Sequence, residues 1–168
     1  MIKIRFKPFS GRLLITPFVF VLVFYSSSFA AQLKFGDWVG VSVIDPLTAQ
    51  ESKKIGTFAG DGISTLWLSA SDSGGEKIQL ILESKKIIAS DYFSYRIDDI
   101  DTLTISSAIK GCESSCLIEY LPPQSELIQF MKSGLRLKFE YDSYPEVTQN
   151  PTFSLRGFTK AFNWLVAK

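Results

Sequence analysis

After residue 31 the chain contains several short stretches in which apolar and polar residues alternate, the period of a β-strand with one buried face. The clearest stretch is residues 135–141, where all the apolar side chains would point one way and the charged ones the other. Comparable strand patterns are found at residues 65–69, 78–83, 93–97, 102–106 and 117–121. The turn-forming residues 72–75 predict a hairpin between two of these strands. Because half of each strand is polar, the pattern favours antiparallel sheets with one solvated face.

A short helix is predicted between two residues that suit its ends. Ser125 follows a pair of prolines and is well placed as the N-cap. The next apolar residues, Leu127, Phe130 and Met131, have the i, i+3, i+4 spacing of one buried stripe. We expect Gly134 to end this helix in the left-handed conformation.

A second helix is predicted at the C-terminus, where apolar residues recur with helical spacing. These residues are Phe158, Ala161, Phe162, Leu165 and Val166. Residues 143–151 are interpreted as an exposed loop. The strands and the two helices together predict a single mainly β domain at residues 31–168. Its expected architecture is an antiparallel β-sandwich with a short helix and a C-terminal helix as covers.

Residues 1–30 have the three-part composition of a secretory signal peptide. A cationic start precedes an apolar core at residues 13–24, and Ser28 and Ala30 supply the small side chains that signal peptidase requires. Cleavage is therefore predicted after Ala30. The alternative is a transmembrane anchor, but a spanning helix needs roughly 20 apolar residues, and this core has about twelve, interrupted by Pro17. We expect a periplasmic or secreted protein with no membrane span after cleavage.

The charge balance changes when this segment is set aside. Four of the 18 basic residues lie in residues 1–30 and none of the 17 acidic ones, so residues 31–168 carry 14 basic and 17 acidic side chains, a net charge of −3. A mildly acidic domain with scattered lysines gives no reason to expect nucleic-acid binding. The sequence also contains no histidine. This excludes Ser-His-Asp and Cys-His catalysis and histidine metal sites, so an enzyme here would depend on carboxylates, lysine or tyrosine.

Cys112 and Cys116 are the two cysteines of the chain. In an exported protein such a pair is most simply a disulfide, which would hold a tight connection before the strand at 117–121. A redox function is the alternative, although the spacing is C-x3-C and not the C-x2-C of thioredoxin-like motifs. Zinc is less favoured, because two thiolates do not complete a tetrahedral site. We expect no cofactor.

A candidate interaction surface comes from the strand at residues 93–97. Core packing would use one face of this strand, with Phe93 and Tyr95. The other face would carry Tyr92 and Arg96, and exposed aromatic residues often mark an interface.

Other candidate sites have structural alternatives. Asp37 and Trp38 could contact a ligand, but a turn followed by a core tryptophan explains them as well. An acidic cluster is formed by Asp98, Asp99 and Asp101. Such a cluster could hold calcium, yet it lacks the spacing of a calcium loop and a polar turn explains it equally. Arg156 is interpreted as one partner of a surface ion pair.

Three segments of the chain form a recognisable set. The first is the Gly36-Asp37-Trp38 motif close to the predicted cleavage site. The second is the close cysteine pair in the second half of the chain, followed by a strand, a short helix and another strand. The third is residues 153–158, in which Gly157 and Phe158 lead into the last helix. In this order the three segments resemble the invasion-associated locus B family of exported bacterial proteins. One departure is clear, because family members usually carry a further cysteine pair soon after the Gly-Asp-Trp motif, where this chain has none in residues 39–43.

The resemblance implies a β-rich protein of the periplasm or cell surface that is linked by name to host-cell invasion. Together with the predicted signal peptide and the absence of histidine, it favours a non-enzymatic protein that acts through protein contacts. It implies no catalytic residues and no reaction. The alternative hypothesis is a small periplasmic ligand-binding protein or a carboxylate-based enzyme, which would require a deep pocket near Tyr92, Tyr95 or the acidic cluster.

Overall fold

The structure, a computed structural model, describes residues 30–45, 47–70, 77–98, 103–105 and 109–167. The predicted signal peptide, except for its last residue, lies outside the described residues. So do the predicted hairpin turn at 72–75 and two members of the acidic cluster, Asp99 and Asp101. The domain boundary at residue 31 and the cleavage site therefore stay predictions.

The larger sheet has seven strands in the spatial order β1-β2-β3-β4-β5-β9-β8, all paired antiparallel. Their bounds are β1 Ala30–Phe35, β2 Trp38–Ile44, β3 Glu51–Phe58, β4 Ser64–Ala70, β5 Ile78–Ser84, β8 Ile109–Gly111 and β9 Cys116–Leu121. Successive strands are neighbours from β1 to β5, so the first half of the chain forms a simple meander.

The smaller sheet has the order β11-β10-β6-β7, and β12 also pairs with β10. Its strands are β6 Phe93–Ile97, β7 Leu103–Ile105, β10 Arg136–Ser143, β11 Val147–Gln149 and β12 Thr152–Ser154. Strand β10 is central, because it pairs with β6 along one edge and with β11 and β12 along the other.

The hydrophobic core is formed by the inward faces of both sheets together with the two helices. Strand β5 buries every second residue, and three phenylalanines of the smaller sheet, Phe93, Phe139 and Phe153, are fully buried. Their rings meet edge to face, with centroids 5.0 and 5.8 Å apart. The predicted fold class is confirmed: over the residues that the structure describes, the protein is mainly β, with two antiparallel sheets and two helices in a sandwich-like fold.

Helix α1 spans Glu126–Ser133, and its N-cap is Ser125, whose hydroxyl accepts a hydrogen bond of 3.4 Å from the Ile128 amide. Two details of the prediction were wrong. Phe130 is 41% exposed, and Ile128 is buried in its place beside Leu127 and Met131. Gly134 is extended, with φ −84°, and not left-handed. Glycine suits this position because a β-carbon there would overlap the side chain of Ile97.

Helix α2 spans Phe158–Val166 and packs against the first strands of the larger sheet. Four of its five predicted apolar positions are buried, while Val166 is 38% exposed. Trp164 lies over Gly40 of β2, where a β-carbon would be 2.8 Å from its ring. Among the described residues, neither helix has the length and apolar character needed to cross a membrane.

The connections around β10 differ from the prediction. Leu135 precedes the strand and is 74% exposed, so it is not the first member of the buried face that its spacing from Leu137 suggested. Its amide donates to a carboxylate oxygen of Asp98 at 2.7 Å. The predicted loop at 143–151 is mostly exposed, but it contains strand β11.

Candidate functional site

The two ends of the domain meet where the chain crosses itself at two glycines. Gly36 forms the turn between β1 and β2, and Gly157 precedes α2, with φ values of +65° and +93°. A β-carbon on Gly36 would lie 2.5 Å from the Arg156 carbonyl oxygen, and one on Gly157 would overlap the Phe35 carbonyl. The Asp37 amide donates to the Arg156 carbonyl at 3.0 Å. Only glycine combines this backbone conformation with such close contact. We call this crossing the terminal junction.

Polar side chains close the outer side of the terminal junction. Asp37 accepts hydrogen bonds from the Ser154 hydroxyl at 2.7 Å and from the Arg156 guanidinium at 2.8 Å. The Ser154 hydroxyl and then Arg156 hold the pKa of the Asp37 carboxyl below its usual range. The ion pair expected for Arg156 is therefore formed with Asp37, 119 positions away in sequence. Both side chains are solvent-accessible, so the ion pair adds little to the stability of the fold. Its main effect is to fix the relative positions of the two chain segments at the terminal junction.

Trp38 holds the inner side of the terminal junction. It is fully buried, and its indole N–H donates to the Ser154 carbonyl at 2.9 Å. Its ring packs on Phe158 with centroids 4.9 Å apart. Trp38 has no exposed surface for a ligand, so its packing agrees with the core interpretation. The residues of the first and third family-like segments thus contact one another directly.

The cysteine pair forms a disulfide between Cys112 and Cys116, with Cα atoms 5.4 Å apart. It closes the turn between β8 and β9, in which Cys112, Glu113 and Ser114 all have positive φ. Carbonyl oxygens of this turn accept amide hydrogen bonds from the end of β5 and from the segment that follows it: Ser115 from Ser84 at 2.9 Å and Ser114 from Ile88 at 2.7 Å. The disulfide therefore stabilises a strained turn against its neighbour.

An open depression of about 670 Å³ lies beside the terminal junction, where the two sheets meet. Phe58 and Leu135 line it and are 70% and 74% exposed. Lys34, Arg136 and Thr152 also contribute to its surface. We call this surface the Phe58–Leu135 depression. It continues into a second hollow of about 370 Å³, which shares three lining residues with it and adds Arg96, Asp98 and Lys138.

The predicted interaction residues Tyr92 and Arg96 are both exposed, but they do not line one hollow. Arg96 lies at the extension of the Phe58–Leu135 depression, and Tyr92 lies before β6 and lines neither hollow. Asp98, the described member of the acidic cluster, accepts the amides of Leu135 and Arg136 at 2.7 and 2.8 Å. Among the described residues, no group of three or more acidic or cysteine side chains has an arrangement that could hold a metal ion.

A carboxylate of β9 points toward the interior. Glu119 lies between Leu117 and Leu121 on the same side of the strand, and both leucines are buried. Its Oε2 atom is buried and has no hydrogen-bond partner among the residues that the structure describes. Burial raises the pKa of Glu119, and the pKa of Tyr95 is raised first by burial and then by the nearby Glu119 charge.

The sequence prediction did not identify the Phe58–Leu135 depression. Phe58 ends β3 after three consecutive buried residues, so the pattern of apolar and polar residues around it does not mark it as exposed. Leu135 was expected in the core because it shares the two-residue spacing of β10. The one available signal is the adjacent Gly134, since a glycine before a strand often marks a change of direction.

Comparison with solved structures gives a likeness of fold. No protein-family model matches the sequence, and no curated protein matches it. The fold is similar to the crystal structure of invasion associated protein B from Bartonella henselae, with a TM-score of 0.62 and 14% sequence identity. The match covers 81% of this chain and 95% of that chain. At this identity the likeness shows the fold.

Proposed function

We propose that the protein is an exported envelope protein of the invasion-associated locus B type, which acts without catalysis through contacts with another protein. The observation that carries this proposal is the fold likeness, which extends over 95% of the Bartonella chain. The order of the Gly-Asp-Trp motif, the cysteine pair and the segment before the last helix supports it. A disulfide in the described chain also suits a protein that folds outside the cytoplasm.

The shape of the surface favours protein contacts over a small ligand. The hollow that includes Tyr95 has a volume of about 20 Å³, which is the room of a single water. The larger depressions are open to solvent, whereas ligand and substrate sites are typically enclosed. Asp37 and Asp98 line these open depressions, which gives no support to the alternative of a carboxylate-based enzyme.

Two measurements test the proposal. Cell fractionation with mass spectrometry of the mature N-terminus should find the protein outside the cytoplasm, beginning at Ala31. In-cell cross-linking should then capture a partner reproducibly, with a disulfide-linked secreted protein of similar size as the control bait. A cytoplasmic protein with an intact N-terminus would overturn the export part. Turnover of a small substrate by the purified protein would overturn the non-enzymatic part.

A further inference from the structure

We infer that the Phe58–Leu135 depression binds an extended acidic segment of a partner protein, which places a large apolar side chain between Phe58 and Leu135. The inference rests on the proposed function and names the surface and the chemistry of its partner. It depends on three features of the depression: its apolar residues, its charges and its shape.

The apolar residues lie in the same hollow, one at the end of a strand of the larger sheet and the other just before a strand of the smaller sheet. Phe58 ends β3 of the larger sheet and Leu135 precedes β10 of the smaller sheet, and both are at least 70% exposed. Single exposed apolar side chains are ordinary on a protein surface. Here the two line one depression together with Val39, so one inserted side chain could bury both. Such burial contributes about 25 cal/mol for each Å² removed from water.

The charges around the depression differ in sign from those of the whole domain. Lys34 and Arg136 line it, and Lys138 lines the adjoining hollow. The two acidic residues of these surfaces already have partners: Asp37 pairs with Arg156, and Asp98 accepts two backbone amides. Residues 31–168 carry a net charge of −3, so this cationic surface is a local exception. It complements an acidic partner, whereas a second copy meeting it with the same surface would bring like charges together.

The shape suits a length of chain. The two hollows share Leu135, Arg136 and Thr152, so they form one continuous surface from β1 to β10. Its floor is shallow and open, as in the grooves that bind extended peptides. A compact ligand would leave most of its surface in water there, but an extended segment can contact the lysines, the arginine and the apolar pair in turn.

Selection from random displayed peptides tests the inference without knowledge of the partner. Peptides of about twelve residues are selected on protein expressed from the full coding sequence. The expected consensus is a large apolar residue flanked by aspartate and glutamate. Binding of a synthetic consensus peptide should weaken about tenfold or more in the Leu135→Ser variant and in the Arg136→Glu, Lys138→Glu variant. It should also weaken when the salt concentration is raised about tenfold.

Matched variants keep the test specific. Leu47→Ser removes an apolar side chain elsewhere that is even more exposed, at 93%, and should leave peptide binding unchanged. Selection of peptides without acidic residues, or equal binding by the depression variants, would overturn the inference. Binding of the wild type to phosphatidylglycerol vesicles but to no peptide would overturn it in favour of a lipid surface. If cross-linking captures a partner equally in wild type and depression variants, protein contact stands as the function and only this surface fails.

Discussion

The terminal junction and the Phe58–Leu135 depression share several residues. The two regions nevertheless differ in whether their side chains find partners within the chain. At the junction, Gly36 and Gly157 allow two backbones to touch and Trp38 is fully buried with its indole N–H satisfied. In the adjoining depression, Phe58 and Leu135 leave most of their apolar surface in water. One region therefore has its interactions completed within the chain, and the other does not.

This difference shows that a recognisable sequence motif can mark a folding contact and need not mark a binding surface. The family-like residues Gly36, Asp37, Trp38, Gly157 and Phe158 gather at the junction, where their contacts explain them through folding. The exposed residues that could meet a partner carry no such motif. The strongest sequence signal thus marks the terminal junction, a contact made in folding. The candidate binding surface lies beside this junction.

The largest expected effect is at Gly157. Gly157→Ala should lower the free energy of unfolding by about 3 kcal/mol or more, because it adds strain at positive φ to an overlap with the Phe35 carbonyl. Urea unfolding of the purified variant measures this loss. A variant as stable as the wild type would mean that the two chain ends do not depend on this crossing, and the contrast with the depression would fail.

Two other glycines separate the causes of that effect. Gly62 also has positive φ, +66°, but no atom lies within 4 Å of a β-carbon placed there. Gly62→Ala should therefore cost about 1–2 kcal/mol, the conformational part alone. Gly60 has the same open surroundings and no positive φ, so Gly60→Ala should change stability within about 0.5 kcal/mol.

The next largest effect concerns the disulfide, which lies away from both regions. Replacing Cys112 and Cys116 by serine should cost about 2 kcal/mol, because the five-residue loop constrains the unfolded chain only modestly. Urea unfolding gives the loss, and reduced wild type is the matched control. Unchanged stability together with loss of thiol-exchange activity would instead indicate the redox function. A loss of stability as large as that of Gly157→Ala would show that the terminal junction contributes no more to the free energy of unfolding than the disulfide does.

The sequence predicted the architecture well because period and turn chemistry are local. The strands β4, β5, β6 and β9 and both helices lie close to their predicted bounds. Ser125 caps α1 as its position after two prolines suggests. These features depend on neighbours within a few residues, which a single sequence contains.

The predictions that failed depend on contacts distant in sequence. Gly134 is extended and lies against the side chain of Ile97, and Leu135 is exposed where the chain passes Asp98. The crossing of Gly36 and Gly157 joins residues that are about 120 positions apart. Local spacing cannot reveal such contacts. The family resemblance therefore identified the motif residues but did not explain why they lie together in the fold.

A smaller effect is expected at Glu119, which contrasts with the fully paired Asp37. Burial raises the folded pKa of Glu119, so between its unfolded and folded pKa values the folded state binds more protons. The wild type therefore loses stability as the pH rises through this interval. Glu119→Gln removes the charge and should add on the order of 1 kcal/mol at about pH 7.

The pH dependence distinguishes this from a change in packing. The difference between Glu119→Gln and wild type should shrink toward zero at about pH 3, below the unfolded pKa, where the wild-type carboxyl is protonated in both states. Chemical denaturation at the two pH values measures it, with the exposed Glu140→Gln as control. A destabilising effect at neutral pH would mean that Glu119 is stabilised as a carboxylate, and its interior position would then resemble the paired arrangement of Asp37.

The smallest effect is expected in the depression itself and completes the comparison. Leu135 and Leu137 are two residues apart, but the first is 74% exposed and the second is fully buried. Leu135→Ala should change the free energy of unfolding by no more than about 0.5 kcal/mol, whereas Leu137→Ala should cost about 2–5 kcal/mol. Parallel urea titrations of the two variants measure the difference. If Leu135→Ala were as destabilising as its neighbour, Leu135 would belong to the core, and the surface beside the terminal junction would have no apolar side chain to offer from the smaller sheet.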